Sequence, residues 1–357
     1  MISGSFLCGF NKLDTLKYCP DIISGNFYCG SNGLKSLKGC PVEISGHFGF
    51  VLYFKDNRIK YMVEDLSVDV AGDVALHRKG LKDIPIRFGI VGGAFDCSYN
   101  KLTSLEGCPS GVGGNFSCGS NGLKSLKGCP VEISGHFDCA GNKISDLLGC
   151  PIKVGGDFYC YGCLLTTLLG GPVEVVGNFN CNYNRLSSLE SCLISVGGNF
   201  NCNNNDLINL EYSPSSVGGS FYCDFCMLLN LFGCSKGIGV GFYCTNNRLT
   251  SLEGSPSSVS GDFYCFANQL ISLEGCPIDI GSNFKCNKNC LVSFEGCPES
   301  VGGKLVIDSN KISESELFLY NYSIVQLNKY YISRNLNEKL HNELLDVIDS
   351  GLKKKKL

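Results

Sequence analysis

The sequence predicts a repeat solenoid, mainly β, with one short strand per 21-residue coil and a small α-helical C-terminal cap. Three observations carry that expectation. Phenylalanine recurs at a fixed step, cysteine follows it two residues later, and glycine supplies 45 of 357 residues, about twice its ordinary share. A hydrophobic fraction of 44% separates the chain from disordered sequences, which cannot bury enough apolar surface to fold.

The step is read from the numbering. Phenylalanine stands at Phe6, Phe27 and Phe48, then at every twenty-first position from Phe95 to Phe284. The one wide gap, 47 residues, divides into 26 and 21 when Val74 takes the phenylalanine place, and Leu305 closes the series. Fifteen coils result over residues 1–312, with a five-residue insertion in the third, around 49–64. That insertion, Val51-Leu52-Tyr53-Phe54, is read as a packed loop, with a contact site as the alternative. Counted from each phenylalanine, Cys recurs at +2, Asn at +5, Leu or Ile at +7 and Leu or Phe at +10. A second Cys, usually before Pro, follows at +13, then Val or Ile at +17 and Gly at +19. A unit of this size cannot bury its apolar side alone, so the copies must stack.

Each position then acquires a physical role. Phenylalanine and the +2 cysteine point to one side of a short strand, leaving −1, +1 and +3 on the other. Gly-Gly before the strand and Gly-Cys-Pro after the +10 leucine supply tight bends. The stretch between +10 and +17 is too short and too rich in Gly and Pro for a helix. The +5 asparagine is expected to turn its amide inward and bond backbone groups that would otherwise be buried unpaired. After Ile312 the period ends. Leu336, Leu340, Leu344, Val347 and Ile348 form one stripe at helical spacing, Asn335 with Glu338 suits a helix start, and Ser350-Gly351 a stop. A helical cap over 313–351 and a basic tail over 352–357 are therefore expected.

The pattern Phe-x-Cys-x-x-Asn-x-Leu-x-x-Leu resembles the leucine-rich repeat, whose units run to about 20–29 residues and accept Asn or Cys at the ladder position. Cys163 and Cys226, each at +5, suit that alternative. The chained form Leu-Glu-Gly-Cys-Pro-x-x-Val-Gly-Gly-x-Phe-x-Cys is similar to repeat proteins of the short bacterial and bacteriophage type. The resemblance implies a binding solenoid and no enzyme. It implies a cytoplasmic setting in an infected bacterium, with a host or viral protein as partner. The alternative is a structural or accessory virion component, tail or capsid associated, that contacts a host surface glycan or protein. Phe and Cys replace Leu at both strand positions, a departure from the family pattern that leaves curvature open.

Other functions find little support in the sequence. No apolar run approaches about 18 residues, so no membrane span is expected. Met-Ile-Ser-Gly-Ser-Phe lacks a charged segment followed by an apolar one, so no secretory signal is expected. Net charge is −3, or −7 without Lys353–Lys356, which argues against a general nucleic-acid binder; the lysine run is read as a solvated tail. The 24 cysteines are read as free thiols acting as small buried hydrophobes. Cys160-x-x-Cys163 and Cys223-x-x-Cys226 have the spacing of zinc or redox motifs, yet each is the +2/+5 pair of one coil. Three coils separate them, about 14 Å, too far to share a zinc ion. No metal or cofactor is expected. His47, His77, His136 and His341 have no carboxylate and nucleophile fixed in register, so no catalytic triad is read.

The informative surface is the outer side of the strands. At +1 stand Tyr159, Asn180, Asn201, Tyr222, Tyr243 and Tyr264, and at +3 Tyr161, Asn182, Asn203, Asp224 and Phe266. Tyrosines in consecutive coils offer large contact area at low entropy cost, as in protein paratopes and sugar sites. A secondary acidic row at +11 holds Glu190, Glu211, Glu253, Glu274 and Glu295, interrupted by Phe232, with Arg185 and Arg248 nearby to relieve repulsion. The first coil carries no cap, so self-association through that strand edge is considered. Residues 29–48 and 118–137 are identical, the mark of an array that gains and loses coils.

Overall fold

Phenylalanines of the 21-residue series open two-residue strands that pair in parallel with their equivalents one coil later, as Phe95 pairs with Phe116 and Phe116 with Phe137. The N–H groups of one coil donate to carbonyls of the next: Phe95 N–H to Asn115 O at 2.8 Å, Cys97 to Ser117 at 2.8 Å and Tyr99 to Gly119 at 2.9 Å. A second parallel ladder forms at +16 and +17, where polarity reverses and Gly155 N–H donates back to Ile133 O at 2.9 Å. Coils paired in this way are thus bonded to their neighbours along two edges, in opposite senses.

The computed structural model describes residues 1–30, 32–34, 37–49, 67–192 and 195–313. The chain divides into two units, Met1–Asn201 and Cys202–Leu357. In the first, ten phenylalanine-type strands stack from Phe6–Leu7 to Phe200–Asn201, beside nine of the second ladder from Ile22–Ile23 to Ser195–Val196. In the second, five stack from Phe221–Tyr222 to Leu305–Val306, and the other ladder forms as a pair and a triplet. The expected insertion from residue 50 onward, the expected cap from residue 314 onward and the basic tail lie outside the described residues.

The core of each unit lies between its two ladders. Phe95, Phe116, Phe137 and Phe158 are completely buried in a column, with Phe116 and Phe137 stacked at 5.9 Å and 10°. The +2 cysteines and the leucines at +7 and +10 fill the rest, and each buried large side chain contributes on the order of 1.5–3 kcal/mol. Val74 does occupy the phenylalanine place, paired with Phe48 and Phe95. Phe88, outside the 21-residue register, fills the space that valine leaves, 5.8 Å from Phe48 and 5.2 Å from Phe95.

All 24 cysteines are free thiols. Burial raises the pKa of Cys160, Cys244 and Cys265 well above the ordinary thiol range, so these sulfurs stay protonated and unreactive.

The +5 asparagines bond as expected. Asn100 Nδ2 donates to Cys97 O in its own coil and to Leu76 O in the preceding one, both at 2.9 Å. Its Oδ1 accepts the N–H groups of Lys79 at 2.9 Å and Leu81 at 3.0 Å. Beside the ladder asparagines from Asn100 onward, the +4 residue adopts left-handed backbone, at φ +53° for Tyr99 and +55° for Ala267. At +12 glycine does the same: Gly128, at φ +98°, lets Cys129 N–H close a turn onto Leu126 O at 3.0 Å. Gly156 is needed for a different reason, since a Cβ there would stand 2.7 Å from His136 Nδ1.

Candidate functional site

The outward strand positions form rows whose side chains bond from coil to coil. At −1, each polar side chain accepts the backbone N–H of its equivalent in the next coil. Asn115 Oδ1 accepts from His136 at 2.8 Å, His136 Nδ1 from Asp157 at 2.8 Å, Asp157 Oδ1 from Asn178 at 2.6 Å and Asn178 Oδ1 from Asn199 at 2.7 Å. His47 does likewise, accepting from Asp73 at 3.0 Å. His47 and His136 therefore act as ladder acceptors in place of asparagine. A polar acceptor at −1 in most coils was the signal available in the sequence.

In the first unit, that row anchors the tyrosines. Tyr159 donates its hydroxyl to Asp157 Oδ2 at 2.6 Å, and His136 Nδ1 lies 3.2 Å from the same oxygen. Burial pushes the Asp157 carboxyl up, but the Tyr159 hydroxyl and the Asn178 N–H groups hold it below its ordinary value. The same hydrogen bond keeps the Tyr159 phenol neutral, pushed up to about 12. Tyr161 meets Tyr159 edge-on at 6.3 Å and is the more exposed of the two. Asn180 Oδ1 accepts the Asn182 N–H at 3.1 Å, and Asn180, Asn182 and Asn201 are all half-buried.

In the second unit, Asn203 Oδ1 accepts the Asp224 N–H at 2.6 Å, and its amide reaches Asp224 Oδ2 at 3.3 Å. Asp224 Oδ1 accepts both the N–H and the hydroxyl of Thr245 at 2.7 Å. Burial still raises the Asp224 carboxyl above its ordinary value, because those hydrogen bonds offset only part of the desolvation. Tyr222 and Tyr243 stack at 4.6 Å and 9°, Tyr264 stands edge-on to Tyr243 at 5.1 Å, and Phe266 lies 6.4 Å from Tyr264. Lys285, a residue the sequence reading did not single out, places its ammonium 4.4 Å from the Tyr264 ring centre. Tyr243 reaches Asp262 Oδ2 at 3.4 Å. Burial and that carboxylate raise its phenol.

The acidic row is exposed: Glu190 in the first unit, and Glu211, Glu253, Glu274 and Glu295 in the second. The chemistry there is backbone capping, with Ser188, Asn209, Ser251, Ser272 and Ser293 accepting the glutamates' own N–H groups at 3.0–3.4 Å. Among the described residues no ion pair joins these glutamates to Arg185 or Arg248.

Each Cys-x-x-Cys pair is inward and structural. Cys163 and Cys226 direct their thiols at the carbonyls of Cys139 and Cys202, each at 3.4 Å. No group of three or more His, Cys, Asp or Glu side chains among the described residues is placed to hold a metal ion. No helix among them is long and apolar enough to cross a membrane.

A solved structure of YopM from Yersinia enterocolitica WA-314, a leucine-rich repeat protein, is similar to this chain with a TM-score of 0.55 at 20% identity. The match covers 81% of this chain, which spans about 65% of the length of that one. Likeness at this identity speaks to the fold, a leucine-rich-repeat-like solenoid with coils of about 21 residues. No family model and no curated protein matches the sequence.

Proposed function

We propose that the chain is a non-catalytic recognition module that binds a macromolecular partner, in the first place a protein, through the outer rows of its strands. One observation carries the reading: the candidate contact side chains are already fixed before a partner arrives. Tyr159 is held by Asp157 at 2.6 Å, Asp224 by Thr245 at 2.7 Å, and Tyr243 by stacking on Tyr222 at 4.6 Å. Side chains ordered in advance lose little entropy on association, about 0.5–1.5 kcal/mol less for each long side chain. A leucine-rich-repeat-like fold is typically a binding scaffold, which agrees with this reading. The setting we infer, an infected bacterium with a host or viral partner, rests on the resemblance of the repeat sequence alone.

The test is capture. The immobilised chain, incubated with bacterial lysate, is expected to retain a discrete protein identified by mass spectrometry. A variant with Tyr222→Ala, Tyr243→Ala and Tyr264→Ala should lose it while unfolding at nearly the same temperature. Retention by that variant equal to wild type rejects the tyrosine row as the contact surface. Stoichiometric presence of the chain in purified viral particles would replace this reading with a virion role.

A further inference from the structure

The +3 column of the first unit runs His77, Ser98, Gly119, Ala140 and Tyr161 through five consecutive coils. Between the imidazole and the phenol, no side chain is larger than serine. Asp138, at +1, turns its carboxyl into that space, where a Cβ on Gly119 would stand 3.1 and 3.2 Å from its two oxygens. One of these, Oδ1, accepts the Ala140 N–H at 2.9 Å. Among the described residues no lysine, arginine or histidine pairs with this carboxylate. The neighbouring Asp96 differs, since His77 Nδ1 lies 3.2 Å from its Oδ2. Burial pushes the Asp138 carboxyl up, the Ala140 N–H offsets part of that, and the charge of Asp96 adds to it. Asp138 is thus a half-buried negative charge that lacks a counter-charge, and its field reaches the Tyr161 hydroxyl.

Tyrosines of this chain readily take cations on their faces. Arg78 lies 4.7 Å from the ring centre of Tyr99, and in the second unit Lys285 lies 4.4 Å from that of Tyr264. Tyr161 is 42% exposed, touches Tyr159 only edge-on, and carries no such cation among the described residues. A carboxylate short of a counter-charge and an open aromatic face therefore lie side by side.

We propose that Asp138 and Tyr161 seat an arginine or lysine side chain of the partner, which presents a basic, extended segment to the strand face of the first unit. This rests on the protein-recognition reading above and names the chemistry of its partner. A neutral glycan would use the ring but leave the charge uncompensated, whereas a guanidinium or ammonium answers both groups at once.

The probe is the peptide acetyl-Thr-Val-Arg-Val-Thr-amide, titrated into the full chain at about 0.05 M salt, where screening is weak. Its citrulline counterpart has the same shape without charge. The arginine peptide is expected to bind about tenfold tighter than the citrulline one, and Asp138→Asn should erase that difference. Asparagine keeps an oxygen for the Ala140 N–H, so the unfolding temperature serves as the check on folding. Tyr161→Leu, which keeps bulk and removes the π face, should weaken the arginine peptide about threefold. Equal affinity of the two peptides, unaltered affinity in Asp138→Asn, or no binding up to about 5 mM overturns the proposal. Lysate capture that survives Asp138→Asn also overturns the seat while recognition stands. Arginine-specific peptide binding with nothing retained from lysate leaves the seat standing and sinks the recognition reading.

Discussion

The Cys163 thiol lies 3.4 Å from the carbonyl oxygen of Cys139, at the ladder position where neighbouring coils place an asparagine amide. One coil later, Asn184 donates to Cys160 O at 3.0 Å and Cys181 O at 2.9 Å, and accepts the Leu165 N–H at 3.1 Å. Cys163 offers one weak donor, with its next contact, Tyr161 O, at 3.8 Å, and the Asn142 N–H meets sulfur instead of oxygen. Cys163→Asn is predicted to stabilise the first unit by about 1 kcal/mol, read as a higher denaturant midpoint. A lower midpoint would show that the amide does not fit there.

Phe88 makes a prediction about coupling. Its ring replaces the one missing at Val74, so Phe88→Ala should destabilise by about 3–5 kcal/mol. Val74→Phe alone should also destabilise, by about 1–3 kcal/mol, because Phe88 already fills the volume. Joined in one chain, the two substitutions should recover part of the loss. Strict additivity in denaturant unfolding would mean that the two side chains do not compete for one space.

These cases show what the sequence could and could not convey. Val74 was legible as a stand-in for phenylalanine because dividing the 47-residue gap into 26 and 21 puts an apolar residue at the phenylalanine place, whereas the reverse order would put Asp69 there. Phe88 was not, since a side chain that reaches the column from outside the register leaves no periodic trace. The inward amide of Asn100 followed from elementary bonding needs. The left-handed backbone at Phe10, Tyr99 and Lys288 did not, because none of these is a turn-forming residue and the conformation belongs to the coil position, recurring at Arg78 and Phe225 where no asparagine follows. In the sequence His136 is weighed only as a catalytic candidate, whereas it serves as a backbone acceptor between Asn115 and Asp157. The tyrosine rows were legible as rows, whereas the hydrogen bonds that fix them depend on side-chain direction, which spacing does not carry.

Asp224 and Asp157 predict opposite responses to pH. Burial raises the Asp224 carboxyl in the folded state above its ordinary 3.8, so the native chain binds the proton more tightly than the unfolded one. Stability from this group therefore falls as pH rises from its unfolded value through its raised folded one. Asp224→Asn keeps an acceptor for Thr245 and loses mainly the 3.3 Å contact with Asn203, so it should remove that fall and raise stability at neutral pH. Asp157 is held below its ordinary 3.8, so its contribution is present above that value and is lost as pH drops beneath it. Asp157→Asn should accordingly lower stability at neutral pH. Denaturant midpoints of the two variants from pH 3 to 7 (about four units, ordinary carboxylate range and above) should diverge in sign, and parallel curves would reject both assignments.

Tyr212 stands where the turn calls for glycine. The turn from Leu210 to Ser213 closes through Ser213 N–H to Leu210 O at 3.1 Å, and Tyr212 sits at φ +65°. The same place in later coils of that unit holds Gly233, Gly254, Gly275 and Gly296, at φ between +78° and +92°. For a residue with a Cβ, this conformation costs about 1–2 kcal/mol. The Tyr212 side chain is 63% exposed, so removing it forfeits little packing. Glycine gives back part of the gain through the greater freedom of its unfolded chain, roughly 0.5–1 kcal/mol. Tyr212→Gly should therefore stabilise by about 0.5–1 kcal/mol, and Tyr212→Ala, which keeps the Cβ, should not. The reverse change at an equivalent position must be worse, since a Cβ on Gly275 would stand 2.6 Å from Glu253 N as well as straining φ at +83°. Gly275→Ala is thus predicted to lose more than Tyr212→Gly gains, a ranking that denaturant unfolding of the three variants decides directly.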